Sequence, residues 1–206
     1  MNEERKKKAV ELIEKRDFLA LKEMLKDMYP ADAELLFEEI DEKEQIIVYR
    51  LLPKELAAEI FVEMDSDMQE TLIKAFTDKE LHDVLSELYV DDTVDIVEEM
   101  PANVVDRILR ASDPGMRSDI NRILQYPKNS AGSVMTTEYI KLRPGMTVSD
   151  AFAKIRTYGV NSETIYTCYV TEASKLIGVL TVKDMLLASP DTVIGDIMKT
   201  DVICAV

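Results

Sequence analysis

Gly132-Ser133-Val134-Met135-Thr136-Thr137-Glu138-Tyr139-Ile140-Lys141-Leu142 occurs twice in this chain, returning as Gly195-Asp196-Ile197-Met198-Lys199-Thr200-Asp201-Val202-Ile203-Cys204-Ala205. Gly132 and Gly195, Met135 and Met198, Thr137 and Thr200, Ile140 and Ile203 keep one offset of 63 residues. Self-similarity at a fixed distance of this size marks a repeated structural unit. The sequence stops at Val206 as the second copy gets under way, so the chain is expected to be part of a longer protein.

Composition changes abruptly just upstream of the first copy. Residues 1–130 carry 18 Lys and Arg against 32 Asp and Glu, whereas residues 131–206 carry 7 against 8. All six glycines fall at Gly115 or later. Two regions of different construction therefore meet near Pro127-Lys128-Asn129-Ser130. The excess acid of the first argues against a nucleic-acid partner, because phosphate contacts need Lys and Arg. It favours cations or basic partners instead. No apolar run is long enough to span a bilayer, and Met1-Asn2-Glu3-Glu4-Arg5 has no signal-peptide core. Cys168 and Cys204 lie in apolar, strand-like contexts and are expected to be buried thiols in a reducing compartment.

From Pro30 to about Leu124 the first region runs in blocks of roughly a dozen residues, opening near Pro30, Asp41, Pro53, Asp65, Thr77, Val90, Pro101 and Asp113. Each starts with a helix-opening signal and continues with apolar residues at helical spacing, as in Leu56, Ile60 and Met64, or Leu81, Val84, Leu85 and Leu88. Ser66-x-x-Gln69 and Thr77-x-x-Glu80 match the capping box. Pro53 and Pro101 fit a first helical position. Arg5-Lys6-Lys7-Lys8 opens a further helix, with Phe18, Leu21 and Leu25 turned to the core. Helices this short persist only by packing, so the expected architecture is an all-α superhelix of stacked pairs.

Between Glu80 and Asp106 the chain holds nine carboxylates and no Lys or Arg. On a helix starting near Asp91, the side chains of Asp91, Asp95 and Glu98 share one stripe, where like charges repel. One reading is a solvated acidic face. The other is a divalent-cation site, and sparse carboxylates suit Mg2+, which keeps most of its water. No His or Cys stands at zinc-like spacing, and His82 reads as a surface or packing residue rather than a ligand.

The second region is mixed. Tyr139 to Leu142 reads as a strand, Thr147 to Asp150 caps a helix, and Thr164 to Val170 pairs with Leu176 to Leu180 as strands. Thr181-Val182-Lys183-Asp184 opens another helix. This β-α-β-β-α order, ending in Gly178-Val179-Leu180-Thr181-Val182-Lys183-Asp184, resembles a CBS domain, a family whose paired units often bind adenine nucleotides. The resemblance implies Asp184 at the ribose, Thr181 and Lys183 at the phosphates, and Tyr166 against the adenine ring. Equally, Thr181 and Asp184 are suited simply to capping their helix.

The acidic helices, the phrase Ala131-Gly132-Ser133-Val134-Met135-Thr136-Thr137-Glu138-Tyr139 and the CBS unit together resemble the cytosolic part of an MgtE-type magnesium transporter. That implies an N domain at 1–129, a first CBS domain at 130–194, and the start of a second at 195–206. Family ligand positions carry over to Asp91 and Asp95 in Asp91-Asp92-Thr93-Val94-Asp95, to Glu59 in Leu56-Ala57-Ala58-Glu59-Ile60, and to the Gly132 carbonyl. The resemblance implies a Mg2+-sensing region that gates a separate transmembrane domain at the cytoplasmic face of a membrane, as a homodimer through its CBS units, with ATP or another adenine nucleotide as a second ligand. The alternative is a nucleotide-responsive CBS regulator whose helical part docks a partner. Catalysis is the least expected class, for want of a Walker-type loop or a nucleophile set around the single histidine.

Overall fold

The computed structural model describes residues 3–204, and the chain divides into two compact units that meet between Gln125 and Tyr126. Met1, Asn2, Ala205 and Val206 lie outside the described residues, including the end of the repeated phrase.

The first unit is entirely helical: α1 (Glu3–Glu14), α2 (Phe18–Leu25), α3 (Pro30–Phe37), α4 (Glu42–Tyr49), α5 (Lys54–Glu63), α6 (Ser66–Ala75), α7 (Asp78–Leu85), α8 (Val90–Glu99), α9 (Ala102–Ala111) and α10 (Pro114–Ile123). From α3 onward each helix packs on the one two places along, odd on odd and even on even. The dozen-residue block is thus half of a two-helix repeat. Gln45 and Gln69, 24 residues apart, make the same bond: each Nε2 donates at 2.8 Å, to the carbonyls of Phe37 and Phe61 respectively. In the next repeat Thr93 takes this place, fully buried, and donates to the Tyr89 carbonyl at 3.0 Å. The two glutamines satisfy carbonyls at the ends of α3 and α5, whereas the Thr93 hydroxyl shares the Tyr89 carbonyl with its own N–H.

Local chemistry sets the helix starts. Thr77 and Glu80 form the expected capping box, as do Asp41 and Glu44. The box expected at Ser66 does not form: Asp65 is the N-cap and accepts from the Met68 N–H, Met68 has no group to return the bond, and Gln69 reaches Phe61 instead. Pro53 and Pro101 are N-caps rather than first helical residues, while Pro114 holds that position in α10. The ends are closed by arginines. Arg50 donates to the Ala75 carbonyl and Arg107 to those of Ile73 and Phe76, so two guanidinium groups close the last turn of α6. Cations there complement the helix dipole. Phe37, Tyr49, Phe61 and Phe76 interlock at the core, with ring centroids 5.2–6.4 Å apart. The Tyr49 hydroxyl donates to the Ala57 carbonyl at 2.9 Å, and burial pushes its pKa well above the usual tyrosine value. Leu21 and Leu25 are buried as expected, and Phe18 is half-buried.

In the second unit β1 (Tyr139–Leu142) leads through α11 (Val148–Tyr158) to β2 (Thr164–Glu172), then β3 (Lys175–Thr181), α12 (Val182–Leu187) and the short α13 (Ile194–Ile197). The sheet order is β1-β2-β3, parallel for the first pair and antiparallel for the second. A parallel pair needs a crossover, and α11 supplies it. Its core is Ile140, Leu142, Val148, Ala151, Ile155, Cys168, Val170, Leu180, Met185 and Ile194. Val179 and Lys199 exchange backbone hydrogen bonds of 2.9 and 2.8 Å, adding a residue of the second phrase copy to the free edge of β3. Gly178 permits this approach, since a Cβ there would lie 2.8 Å from the Met198 sulfur. Cys168 is buried, which raises its thiol to about 11, but Cys204 is exposed and lies in no strand. The apolar run around Cys204 has no paired neighbour among the described residues, and this overturns the expectation of a second buried thiol.

Candidate metal and nucleotide sites

The carboxylates from Glu80 to Asp106 separate into two groups. Those on α7 are drawn into ion pairs with neighbouring helices. Glu80 meets Arg50 at 2.8 Å and Asp83 lies 3.9 Å from Lys54. The Thr77 N–H bond, with help from Arg50, holds the Glu80 carboxyl below its usual range.

The carboxylates of α8 are arranged differently. Along one side of the helix, Asp92, Asp95 and Glu99 line a cleft of about 220 Å3 with Asp65, Ser66 and Gln69. A second cleft, of about 210 Å3, is lined by Glu55, Glu59, Glu87, Tyr89 and again Asp92. Neither cleft has Lys or Arg in its lining. Asp95 is exposed, and its carboxyl is raised by partial burial and then by the charges of Glu98 and Glu99. Asp91 is half-buried in the first turn of α8, where the helix N-terminus favours an anion.

Asp92, Asp95 and Glu99, at i, i+3 and i+7, therefore border the clefts, while Asp91 and Glu98 are outside both linings. Glu59 is exposed and shares its cleft with Asp92. Asp92 borders both clefts, and sequence reasoning passed over it. The spacing of Asp92 to Asp95 and Glu99 was the available signal. Gly132 belongs to the second unit, half-buried under the Tyr126 ring, which any Cβ at that position would overlap. Among the described residues no three His, Cys, Asp or Glu side chains converge tightly enough to cage a metal. The donor set still fits Mg2+, a hard cation that keeps several waters and takes one or two carboxylates from a given surface. His82 is a packing residue, its Nδ1–H donating to the Ala111 carbonyl at 2.9 Å.

At the start of α12, Thr181 and Asp184 form a capping box. The Thr181 Oγ1 accepts from the Asp184 N–H at 3.1 Å, while Asp184 Oδ2 accepts from the Thr181 N–H at 3.2 Å and its hydroxyl at 2.6 Å. The Thr181 hydroxyl and N–H hold the Asp184 carboxyl below the ordinary range, with smaller help from Lys199 and Lys183. Lys183 is exposed on the first turn of α12. Tyr166 is 77% exposed on β2, beside Thr167, the register partner of Thr181. The junction thus carries the capping pair and Lys183, while Tyr166 stands on the neighbouring strand β2.

Stacked short helices with an acidic face, followed by a β-α-β-β-α unit, define a helical domain joined to one small mixed α/β domain. Residues 28–129 match the MgtE intracellular N domain and residues 131–191 a CBS domain. The chain belongs to the MgtE family. Over 198 residues it is 32% identical to the magnesium transporter MgtE of Thermus thermophilus, an alignment covering 94% of this chain and 44% of that protein. It is 26% identical over 191 residues to the magnesium transporter MgtE of Bacillus subtilis, covering 92% of this chain and 42% of that one. The chain thus spans less than half the length of these two relatives. Among solved structures, it resembles the cytosolic domain of the Mg2+ channel MgtE in complex with ATP, with a TM-score of 0.88 and 32% identity over 95% of this chain and 82% of that one. The soluble part of a magnesium transporter shares the fold, with a TM-score of 0.83 and 24% identity over 98% of this chain and 80% of that one. Among the described residues no helix is long and apolar enough to cross a membrane.

Proposed function

We propose that this chain is the cytosolic Mg2+-sensing region of a magnesium transporter, acting on a transmembrane domain outside the sequence described. The observation that carries the reading is the pair of acidic clefts flanking α8, lined by Asp92, Asp95, Glu99, Glu59 and their neighbours without a basic residue. Asp91, Asp95, Glu59 and the Gly132 carbonyl are the proposed ligands, and Asp92 joins them on the strength of its position. At low Mg2+ the acidic face repels other carboxylates of the assembly. At high Mg2+, bridging ions draw the faces together and close the pore. An ion shifts such an equilibrium only by its differential affinity for the two arrangements. Weak sites that each supply one or two carboxylates respond to a free-ion concentration rather than trapping the ion. In the full-length protein the CBS units join two copies at the cytoplasmic face of the membrane.

The test compares protease resistance and compactness of the chain with and without Mg2+, in the unsubstituted protein and in Asp91→Ala/Asp95→Ala. A Mg2+-dependent gain confined to the unsubstituted chain supports the reading, and equal responses would sink it.

A second ligand, an adenine nucleotide at Tyr166, Thr181, Lys183 and Asp184, is favoured by the exposed Tyr166 beside the Thr181–Asp184 junction and by the ATP complex of the homologous domain. Thermal stability with ATP alone, compared with Mg2+ alone, separates the two, because a ligand of the folded state raises stability.

A further inference from the structure

Asp184 has a neighbour that its capping role does not need. Lys199 Nζ stands 3.8 Å from Asp184 Oδ2, and the two side chains are 66% and 32% exposed. That separation is too long for a direct hydrogen bond. A surface ion pair of this kind contributes little by itself and exchanges readily. The ammonium is therefore available to another anion.

The position of Lys199 is nevertheless fixed. Its N–H and carbonyl both bond to Val179, at 2.8 and 2.9 Å, two residues before the Thr181 cap. The side chain reaches Asp184 from the sheet edge, not from a loose tail. It also belongs to the second copy of the repeated phrase, whereas Asp184 and Lys183 belong to α12.

Any nucleotide that offers its ribose to Asp184 brings phosphate charge close to a carboxylate. A cation poised beside that carboxylate relieves the repulsion, and its charge-assisted bond to phosphate is stronger than its loose contact with Asp184. We propose that Lys199 is a phosphate-contacting residue of the nucleotide subsite, moving from Asp184 to the phosphate when a charged nucleotide binds. This rests on the nucleotide reading given above and adds a residue to it from the far side of the sheet edge. Because the Lys199 backbone is bonded to β3, the phosphate contact also ties nucleotide occupancy to the segment that opens the second phrase copy.

The test titrates adenosine, AMP and ATP into the full chain by calorimetry, without divalent ions, so that the phosphate charge is unmasked. The variants are Lys199→Ala, Lys199→Arg and Lys175→Ala, the last removing an equal charge from the hairpin end of β3. In the unsubstituted chain ATP binds about tenfold or more tightly than adenosine. Lys199→Ala abolishes most of that preference while leaving adenosine affinity unchanged; Lys199→Arg and Lys175→Ala retain it. A preference that survives Lys199→Ala, or falls equally in Lys175→Ala, overturns the assignment of Lys199. Failure of the unsubstituted chain to bind any of the three overturns the nucleotide reading itself, and is recognisable as such without the variants.

Discussion

Asp95→Asn offers the most discriminating perturbation, because the same charge that binds a cation strains the helix when the cation is absent. Partial burial raises the Asp95 carboxyl, and the charges of Glu98 and Glu99, at i+3 and i+4, add to that rise. Each like-charge pair on a helix surface costs about 0.2–0.5 kcal/mol. Asp91 and Asp92, at i−4 and i−3, add two more such pairs, so removing the charge relieves four, about 0.8–2 kcal/mol, or an increase of roughly 3–8 °C in the melting midpoint of the helical unit. Linkage gives the same sign. With its folded pKa raised, Asp95 binds its proton more tightly in the native state, so stability falls as pH rises from the unfolded value through the folded one. Asn removes that loss. Thermal unfolding followed by circular dichroism at low ionic strength is the assay, since surface charges are screened within about 10 Å at 0.1 M salt. Without divalent ions Asp95→Asn melts higher than the unsubstituted chain. With Mg2+ the unsubstituted chain gains stability and the variant gains much less. A lower midpoint for Asp95→Asn without Mg2+, or equal Mg2+ gains, would refute the reasoning.

Other expectations follow from single contacts. Gln69→Leu leaves the Phe61 carbonyl buried without its 2.8 Å donor, so denaturant unfolding should register a loss of about 1–3 kcal/mol. The hairpin between β2 and β3 turns through Ala173 and Ser174, at φ of 47° and 64°. Asn and Gly prefer that conformation, so Ala173→Asn/Ser174→Gly should stabilise the second unit by about 1 kcal/mol or more. An alkylating reagent should modify the exposed Cys204 rapidly in the native chain, whereas the buried Cys168, with its thiol raised to about 11, reacts only on unfolding. Asp150 and Asp184 are held below the ordinary aspartate range mainly by bonds from Thr147 and Thr181. Their contribution is therefore present at neutral pH and is lost as pH falls below about 3.9, the ordinary aspartate value, through the folded values. The acid unfolding profile should flatten there in Thr147→Ala/Thr181→Ala.

Much of the fold was legible because short-range chemistry dictates it. Most helix starts sit beside a Pro, Asp or Thr, although α8 opens after Tyr89 and α13 after Val193 without a side-chain cap, and apolar spacing identified the buried faces from Leu56 to Leu88. What the sequence hid were choices between adjacent residues. Asp65 and Ser66 both make good caps, and only the packing of Gln69 under Phe61 selects Asp65. The same ambiguity affected the acidic helix. Asp91 and Asp92 are neighbours, and that Asp92 lines the groove between α6 and α8 depends on packing that no local pattern reveals. Arg50 and Arg107 were invisible as helix-end partners, since they reach α6 from helices distant in sequence. Lys199 was hidden for a similar reason: its proximity to Asp184 depends on an edge pairing with Val179 that no local pattern announces.

The central claim is that Mg2+ acts at the α8 face. Backbone amide chemical shifts of the isotope-labelled chain, recorded through a Mg2+ titration, test it most directly. Saturable shifts at millimolar Mg2+ are expected in the residues around α8, from Leu88 to Met100, with weaker ones near Glu59, and are expected to be lost in Asp91→Ala/Asp95→Ala. Shifts spread evenly over the acidic surface, or unchanged by the double substitution, would contradict it.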